Sequence, residues 1–325
     1  MINTKKPYTY SQTILNHISL DLGQNLEIPA WIYYYHPNFY DDLLLLDDLK
    51  SDADKNILFS ESRKLLLQES AFVSYRLRKF SKINFFDLYE AGLTTSLKFT
   101  VPFLEEGRLN KYIMASSSES GNQKGLSTFK SFIFSKGFQS ESSSFLANFN
   151  LQNHLADVVS LAPTDKDTVN LFFLGESVLG NHLRPQVMLK NIYNSMLSGD
   201  FLIISQDIYR DSREDLWVAD YLNCLAESFN ISKELANTLS QGYPLKAVWE
   251  DKQGFRGVKI KTQIQKPVSF ADIDLKEGQI VDLFRSTRFL EAEIISMLTK
   301  LNFKMIEVVY GNDMNTAMFV VQKCP

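Results

Sequence analysis

Short apolar runs alternate with stretches of helical spacing through the middle of the chain. The sharpest run is Val169 to Leu174, V-N-L-F-F-L, which stops at Gly175 and is followed by Gly180 and Asn181. A buried strand that ends in a glycine-bearing loop is how an open α/β sheet makes a ligand crevice at its strand ends. Pro185 suits the first turn of a helix, where its missing N–H costs nothing. Met188, Ile192 and Met196 then repeat at helical spacing. Ser198-Gly199-Asp200 breaks that helix, and Phe201 to Ser205 reads as the next buried strand, ending at Asp207.

The same reading extends upstream. Asn56 to Phe80 is predicted as a long helix, with Leu58, Leu65, Leu66, Phe72 and Leu77 as its apolar stripe. Its basic face, Arg63, Lys64, Arg76, Arg78 and Lys79, is read as solvated. Ile83 to Leu88, Tyr112 to Ala115 and Phe145 to Phe149 are predicted strands, and Leu93 to Leu104 and Asn122 to Ser135 predicted helices. Strands alternating with helices imply a parallel sheet covered on both faces.

After Asp207 the pattern changes. Glu214 to Phe229 and Ser232 to Leu239 read as helices. Lys246 to Glu250, Phe255 to Gln263 and Val268 to Ile273 alternate polar and apolar residues, as an antiparallel meander does. Phe289 to Leu301 is a predicted helix, and Met305 to Tyr310 and Thr316 to Gln322 a closing hairpin through Gly311-Asn312. Near the start, Asp41 to Lys50 is a predicted surface helix. Trp31, Tyr33, Tyr34, Tyr35 and Tyr40 cluster around His36-Pro37 as core or interface packing, with a substrate-pocket wall as the second reading. The expected organisation is an α/β domain over 51–205 and 286–325, and a second, smaller domain over 1–50 and 206–285.

Composition narrows the class. Of 325 residues, 45% are hydrophobic and 22% charged, which is globular and not disordered. A net charge of -4 argues against a nucleic-acid partner, which calls for a basic face. No run is long and apolar enough to span a membrane. The two cysteines, Cys224 and Cys324, match no metal spacing, and so few point to a reducing, cytoplasmic setting. His17, His36, His154 and His182 have no carboxylate or cysteine at ligand spacing. Gly175-Glu176-Ser177-Val178-Leu179 lacks the second glycine of a nucleophile elbow.

Leu174-Gly175-Glu176-Ser177-Val178-Leu179-Gly180-Asn181 resembles the F-L-G-S-T-I-G-N signature of the histidine-specific methyltransferases of the ergothioneine pathway, which use S-adenosylmethionine (SAM). Ser198-Gly199-Asp200, Asp207 and Ser228-Phe229-Asn230 continue the match in order and spacing, as do Arg288-Phe289 and Leu301-Asn302-Phe303. The resemblance covers roughly residues 25 to 325. It implies a Rossmann-like class I methyltransferase fold with a second, smaller α+β substrate-binding lobe, built from an N-terminal piece and a later insertion.

The departures are informative. The family's first cofactor motif, D-L-G-x-G, is here Asp87-Leu88-Tyr89-Glu90-Ala91-Gly92. Glycines there let the backbone approach the methionine part of the cofactor, a space that Tyr89 and Ala91 would crowd. The acid that binds the ribose hydroxyls in the family is Ser116, shorter and uncharged. The G-D-F that contacts adenine is Ala147-Asn148-Phe149, in which Asn148 still offers a carbonyl. With Gly175, these are the cofactor-binding positions that the resemblance implies. On the substrate side, Asn181 matches the family asparagine that grips the substrate. The family tyrosine aligns with Ala219, for which Trp217 or Tyr221 would have to compensate. The family's E-x-S aligns with Phe284-Arg285-Ser286, so the acid that recognises the ring is lost. Tyr34, Asn181, Trp217, Phe284 and Ser286 are the expected substrate side of a pocket between the lobes.

Two functions fit these residues. The first is a methyltransferase-fold protein that has lost or changed the reaction, as a pseudoenzyme or a small-molecule site of another kind. The second is an active SAM-dependent N-methyltransferase acting on an amino-acid-like substrate other than histidine. SAM is the cofactor in the second case, and the first calls for none. The expected partner is a small amino-acid-like molecule or another protein.

Overall fold

The computed structural model describes residues 12–28, 57–88, 93–116, 119–146, 159, 162, 165–210, 213–222 and 245–324. The chain divides into two compact units. The larger holds Lys50–Gly180, Arg184–Ser212 and Arg288–Pro325, and the smaller holds Met1–Leu49, Asn181–Leu183 and Arg213–Thr287.

The larger unit is built on strands β1 (Lys82–Asp87), β2 (Leu109–Ser116), β3 (Glu141–Leu146), β4 (Thr168–Leu174), β5 (Phe201–Asp207), β11 (Phe303–Tyr310) and β12 (Thr316–Lys323). They form one sheet in the order β11-β12-β5-β4-β1-β2-β3. The first five strands pair in parallel, and β12 runs antiparallel to both β5 and β11. Every residue of β4 and β5 is buried, as expected of parallel strands covered on both faces. Phenylalanines fill both sides: Phe86 stacks on Phe172 at 4.6 Å, and Phe85 on Tyr112 at 5.7 Å. The helices of this unit are α2 (Ile57–Arg76), α3 (Leu93–Phe99), α4 (Val101–Glu105), α5 (Glu119–Lys136), α6 (Val178–Asn181, whose last residue falls in the smaller unit), α7 (Pro185–Ser195) and α9 (Glu291–Lys300). Pro185 opens α7, as its fixed φ favours.

A polar chain crosses this apolar centre. Asn110 donates to Asn84 at 2.8 Å, Asn84 to Asn170 at 3.0 Å, and Asn170 to the Asp200 carboxylate at 3.1 Å. Asn84 and Asn170 are fully buried, so each amide needs these partners.

Three sequence expectations change here. Leu93 to Leu104 is two helices, because Thr100 interrupts the run and Pro102 sits in the first turn of the second. The third strand is Glu141–Leu146 and not Phe145 to Phe149. It lies at the edge of the sheet, where half-exposed serines replace an apolar run. The parallel strand β2 also begins three residues earlier than its apolar part, at Leu109.

In the smaller unit, β6 (Lys246–Lys252), β7 (Phe255–Gln263) and β10 (Ile280–Thr287) form an antiparallel sheet in the order β10-β7-β6. The expected third strand, Val268 to Ile273, is not in it. Ala271 and Asp272 both take positive φ, +52° and +61°, so β8 (Val268–Phe270) folds straight back on β9 (Ile273–Leu275). Such paired left-handed residues make the tight hairpin turn whose twist suits two strands. Helix α1 (Gln12–Asn25) leads to Glu27, which bridges to Asp282: Ile28 N donates to Asp282 O at 2.8 Å, and Asp282 N to Leu26 O at 2.9 Å. Helix α8 (Glu214–Tyr221) packs on β6 and β7. The expected helices over 41–50 and 232–239, and the end of 214–229, lie outside the described residues.

Candidate functional site

In the larger unit the strand order reverses between β1 and β4. In open α/β sheets that reversal, at the carboxyl ends of the strands, is where ligands bind. Asp87 ends β1 and is fully buried. It accepts from the Ser96 hydroxyl at 2.5 Å and from the Tyr112 hydroxyl. Helix α3 and strand β2 therefore both hold the carboxylate in place.

On the β4 side the chain turns sharply. A Cβ at Gly175 would stand 2.9 Å from the Phe173 ring, so only glycine passes there without a shift. The next two residues, Glu176 and Ser177, have φ of +45° and +64°. A left-handed conformation costs an L-residue roughly 1–2 kcal/mol, so this turn is strained unless its surroundings fix it. They do. Ser177 N donates to Ser205 O at 2.9 Å, Asp207 N donates to the Ser177 hydroxyl at 2.8 Å, and Gly180 N donates to the Gln206 side chain at 3.1 Å. Asp207 in turn pairs with the fully buried Arg288 at 3.2 Å. Burial pushes the Asp207 carboxyl up, and Arg288 opposes that shift.

The strain also places an acid. The Glu176 side chain has no exposure and accepts a hydrogen bond from the Thr95 hydroxyl. Arg63 Nε donates to Thr95 Oγ1 at 3.0 Å and stands 3.6 Å from Glu176 Oε1. Arg63 was expected on a solvated face. Its side chain is only 18% exposed, because α2 turns it toward this acid. Arg63, Thr95 and Glu176 are the site residues that sequence reasoning missed. The one signal was an acid standing inside the glycine-bearing motif.

The smaller unit brings two expected substrate residues, Phe284 and Ser286, to one partner, Tyr221, and places Trp217 on the same helix as that tyrosine. Trp217 stacks on Trp249 at 5.2 Å. The Tyr221 hydroxyl donates to the Ser286 hydroxyl at 2.7 Å, and the Tyr221 ring stacks on Phe284 at 6.0 Å. A bulge makes this possible. The β7–β10 register slips between Asp282 and Phe284, so Phe284 pairs with Ile260 and Ser286 with Val258. In a regular strand without the slip, Asp282, Phe284 and Ser286 would share a face. With it, Asp282 meets Lys259 and Lys261, while Phe284 and Ser286 meet Tyr221 of α8. A groove on the charged side of this sheet is lined by Lys246, Val248, Glu250, Lys261, Gln263 and Ile280. Burial pushes the Glu250 carboxyl up, but hydrogen bonds from Lys252 and Lys261 outweigh it and hold the group at about 2.

Asn181 ends α6, and its buried Oδ1 has no hydrogen-bond partner among the described residues. Ser116 closes β2. Tyr34, Tyr89, Ala91, Gly92, Asn148 and Phe149 lie outside the described residues.

A seven-stranded sheet with five parallel strands, closed by a hairpin whose last strand inserts antiparallel beside β5, is the Rossmann-like class I methyltransferase fold. No family model matches the chain, and no curated protein matches it. Solved structures similar to it include several methyltransferases and the [4+2]-cyclase SpnF, all at low identity. The methyltransferase (CMeT) domain of the citrinin polyketide synthase has 13% identity and a TM-score of 0.45, with 80% of this chain and 52% of that one covered. This chain thus spans about half of that one's length. The magnesium protoporphyrin IX methyltransferase of Synechocystis PCC 6803, with S-adenosylhomocysteine bound, has 10% identity and a TM-score of 0.42 over 81% and 84%. The 1,6-didemethyltoxoflavin-N1-methyltransferase of Burkholderia thailandensis has 11% identity and a TM-score of 0.41 over 89% and 91%.

Proposed function

We propose that this chain is a methyltransferase-fold protein with a substituted cofactor crevice, a pseudo-methyltransferase or a small-molecule site put to another use. The observation that supports this is the state of the acids at the strand ends. Asp87 is held by two protein hydroxyls and Glu176 by a third, with Arg63 beside it. The sequence substitutions point the same way: Tyr89 and Ala91 for glycines, and Ser116 for the ribose-binding acid. Hydrogen bonds to a charged group contribute about 1.5–3 kcal/mol each, so their loss with the crowding predicts binding weaker by about a thousandfold or more. These residues do not fit SAM in the way the family resemblance implies.

Calorimetric titration of ligand-stripped protein with SAM and S-adenosylhomocysteine tests the reading. No saturable binding is expected at micromolar concentrations. The triple change Tyr89→Gly, Ala91→Gly and Ser116→Asp should raise affinity by about a hundredfold or more. Micromolar binding by the unmodified protein overturns the proposal.

A second reading, an active N-methyltransferase on an amino-acid-like substrate, is favoured by Asn181. A buried amide oxygen without a partner is a demand that a ligand amine could meet. In that reading the smaller unit is the substrate lobe, with Trp217, Phe284 and Ser286 on its ligand side. Phe284 in place of an acid argues against histidine as the substrate. Saturable methylation of histidine would contradict this, and methylation of another amino acid would favour the second reading over the first.

A further inference from the structure

Glu176 does more than stand near a ligand crevice. Its carboxylate is received by two groups from two separate helices, Thr95 of α3 and Arg63 of α2. The order of donors is fixed. Arg63 Nε donates to the Thr95 oxygen at 3.0 Å, so the hydroxyl turns its one proton toward Glu176. The Thr95 proton thus points at Oε1, and the charged guanidinium of Arg63 lies 3.6 Å from the same oxygen, in a place where the carboxylate has no exposure. The backbone takes two successive left-handed residues, neither of them glycine, to deliver it there.

We propose that Glu176 is a specificity-determining residue that acts as a built-in ligand. It fills an anion seat formed by Arg63 and Thr95. The crevice therefore rejects molecules that present a carboxylate at this position and takes ones that are neutral or cationic there. This rests on the reading of a substituted crevice given above. A second carboxylate at the seat would put two like charges within a few ångström of each other, and burial would strengthen their repulsion.

The test empties the seat. Glycine adopts positive φ freely, so Glu176→Gly removes the carboxylate while keeping the turn. Sodium formate, a bare carboxylate, is the probe, with sodium chloride at matched ionic strength as the reference. Thermal unfolding of Glu176→Gly should shift upward with formate, saturably and by about 2–4 °C. The wild type, whose seat is filled, and the double variant Arg63→Gln/Glu176→Gly, whose seat lacks its cation, should show no such shift. Glu176→Gln, which fills the seat with a neutral side chain of the same shape, should also be insensitive. An equal shift in the wild type or the double variant overturns the proposal, and so does no shift in Glu176→Gly. The experiment contains no SAM. Its failure is therefore separate from failure of the proposed function, which the SAM titration of the wild type reads.

Discussion

Two carboxyls are displaced in opposite directions, and the sign of each sets a pH dependence. Burial pushes Asp200 up from 3.8 to about 6, against hydrogen bonds from Leu197 and Asn170. The folded protein keeps this proton where the unfolded chain has released it. Its contribution to stability is therefore greatest below about pH 4 and is lost as the pH rises through about 6. Asp200→Asn should lack that slope, and urea midpoints between pH 4 and 7 should show the wild type losing on the order of 2–3 kcal/mol relative to the variant. Glu250 has the opposite sign. Held at about 2 against an ordinary 4.5, it contributes stability above 4.5 that is lost as the pH falls toward 2. Glu250→Gln should lower stability above pH 5, where the carboxylate contributes, and flatten the acid limb, so that variant and wild type converge as the pH falls toward 2. The buried Arg288–Asp207 pair gives a third expectation. Arg288→Gln leaves an acid without its cation, which costs about 3–5 kcal/mol in buried pairs, and the same urea midpoints would show it.

At the scale of elements, β7 and β10 depend on one glycine and one bulge. A Cβ on Gly257 would lie 2.0 Å from the Ser286 carbonyl oxygen, closer than any backbone contact permits. Gly257→Ala should destabilise the smaller unit by about 3 kcal/mol or more, the upper range for overpacking, seen as a lower denaturant midpoint. Deleting Leu283 removes the bulge and makes the ladder regular, and it keeps Phe284 opposite Ile260 and Ser286 opposite Val258 on their present face. The Tyr221–Ser286 hydrogen bond should then survive, seen as a near-ultraviolet circular dichroism signal that keeps its shape, with far-ultraviolet strand content also kept. The loop after β4 follows a similar logic. Its strained residues persist because three hydrogen bonds tie them to the end of β5.

At the scale of the molecule, the chain leaves the larger unit after Ser212 and returns at Arg288. The return crosses between β10, whose residues through Thr287 belong to the smaller unit, and the helix α9 that leads into the closing hairpin. A boundary between 285 and 286 therefore cuts a strand, and Ser286 belongs with the smaller unit's sheet. The alternating run Ile280–Thr287 went unread as a strand, and its bulge breaks the simple period of two.

The parallel core was legible in the residues themselves. Continuous apolar runs such as V-N-L-F-F-L and F-L-I-I-S carry their own burial, and burial on both faces allows only a covered strand. Pro185 and the glycines at 175 and 199 marked the turns between them, and the closing hairpin followed from its two alternating runs. Tertiary structure alone decided the rest. Arg63 looks like one cation of a surface row until α2 packs on β5 and β12 and sets it against Glu176, more than a hundred residues away in sequence. Asn84, Asn110 and Asn170 look like interruptions of apolar strands until parallel pairing aligns them into one hydrogen-bonded chain ending on Asp200. Local pattern reports which residues seek burial. Which polar groups then meet depends on strand order and register, and those come from packing of the whole sheet, which no short stretch contains.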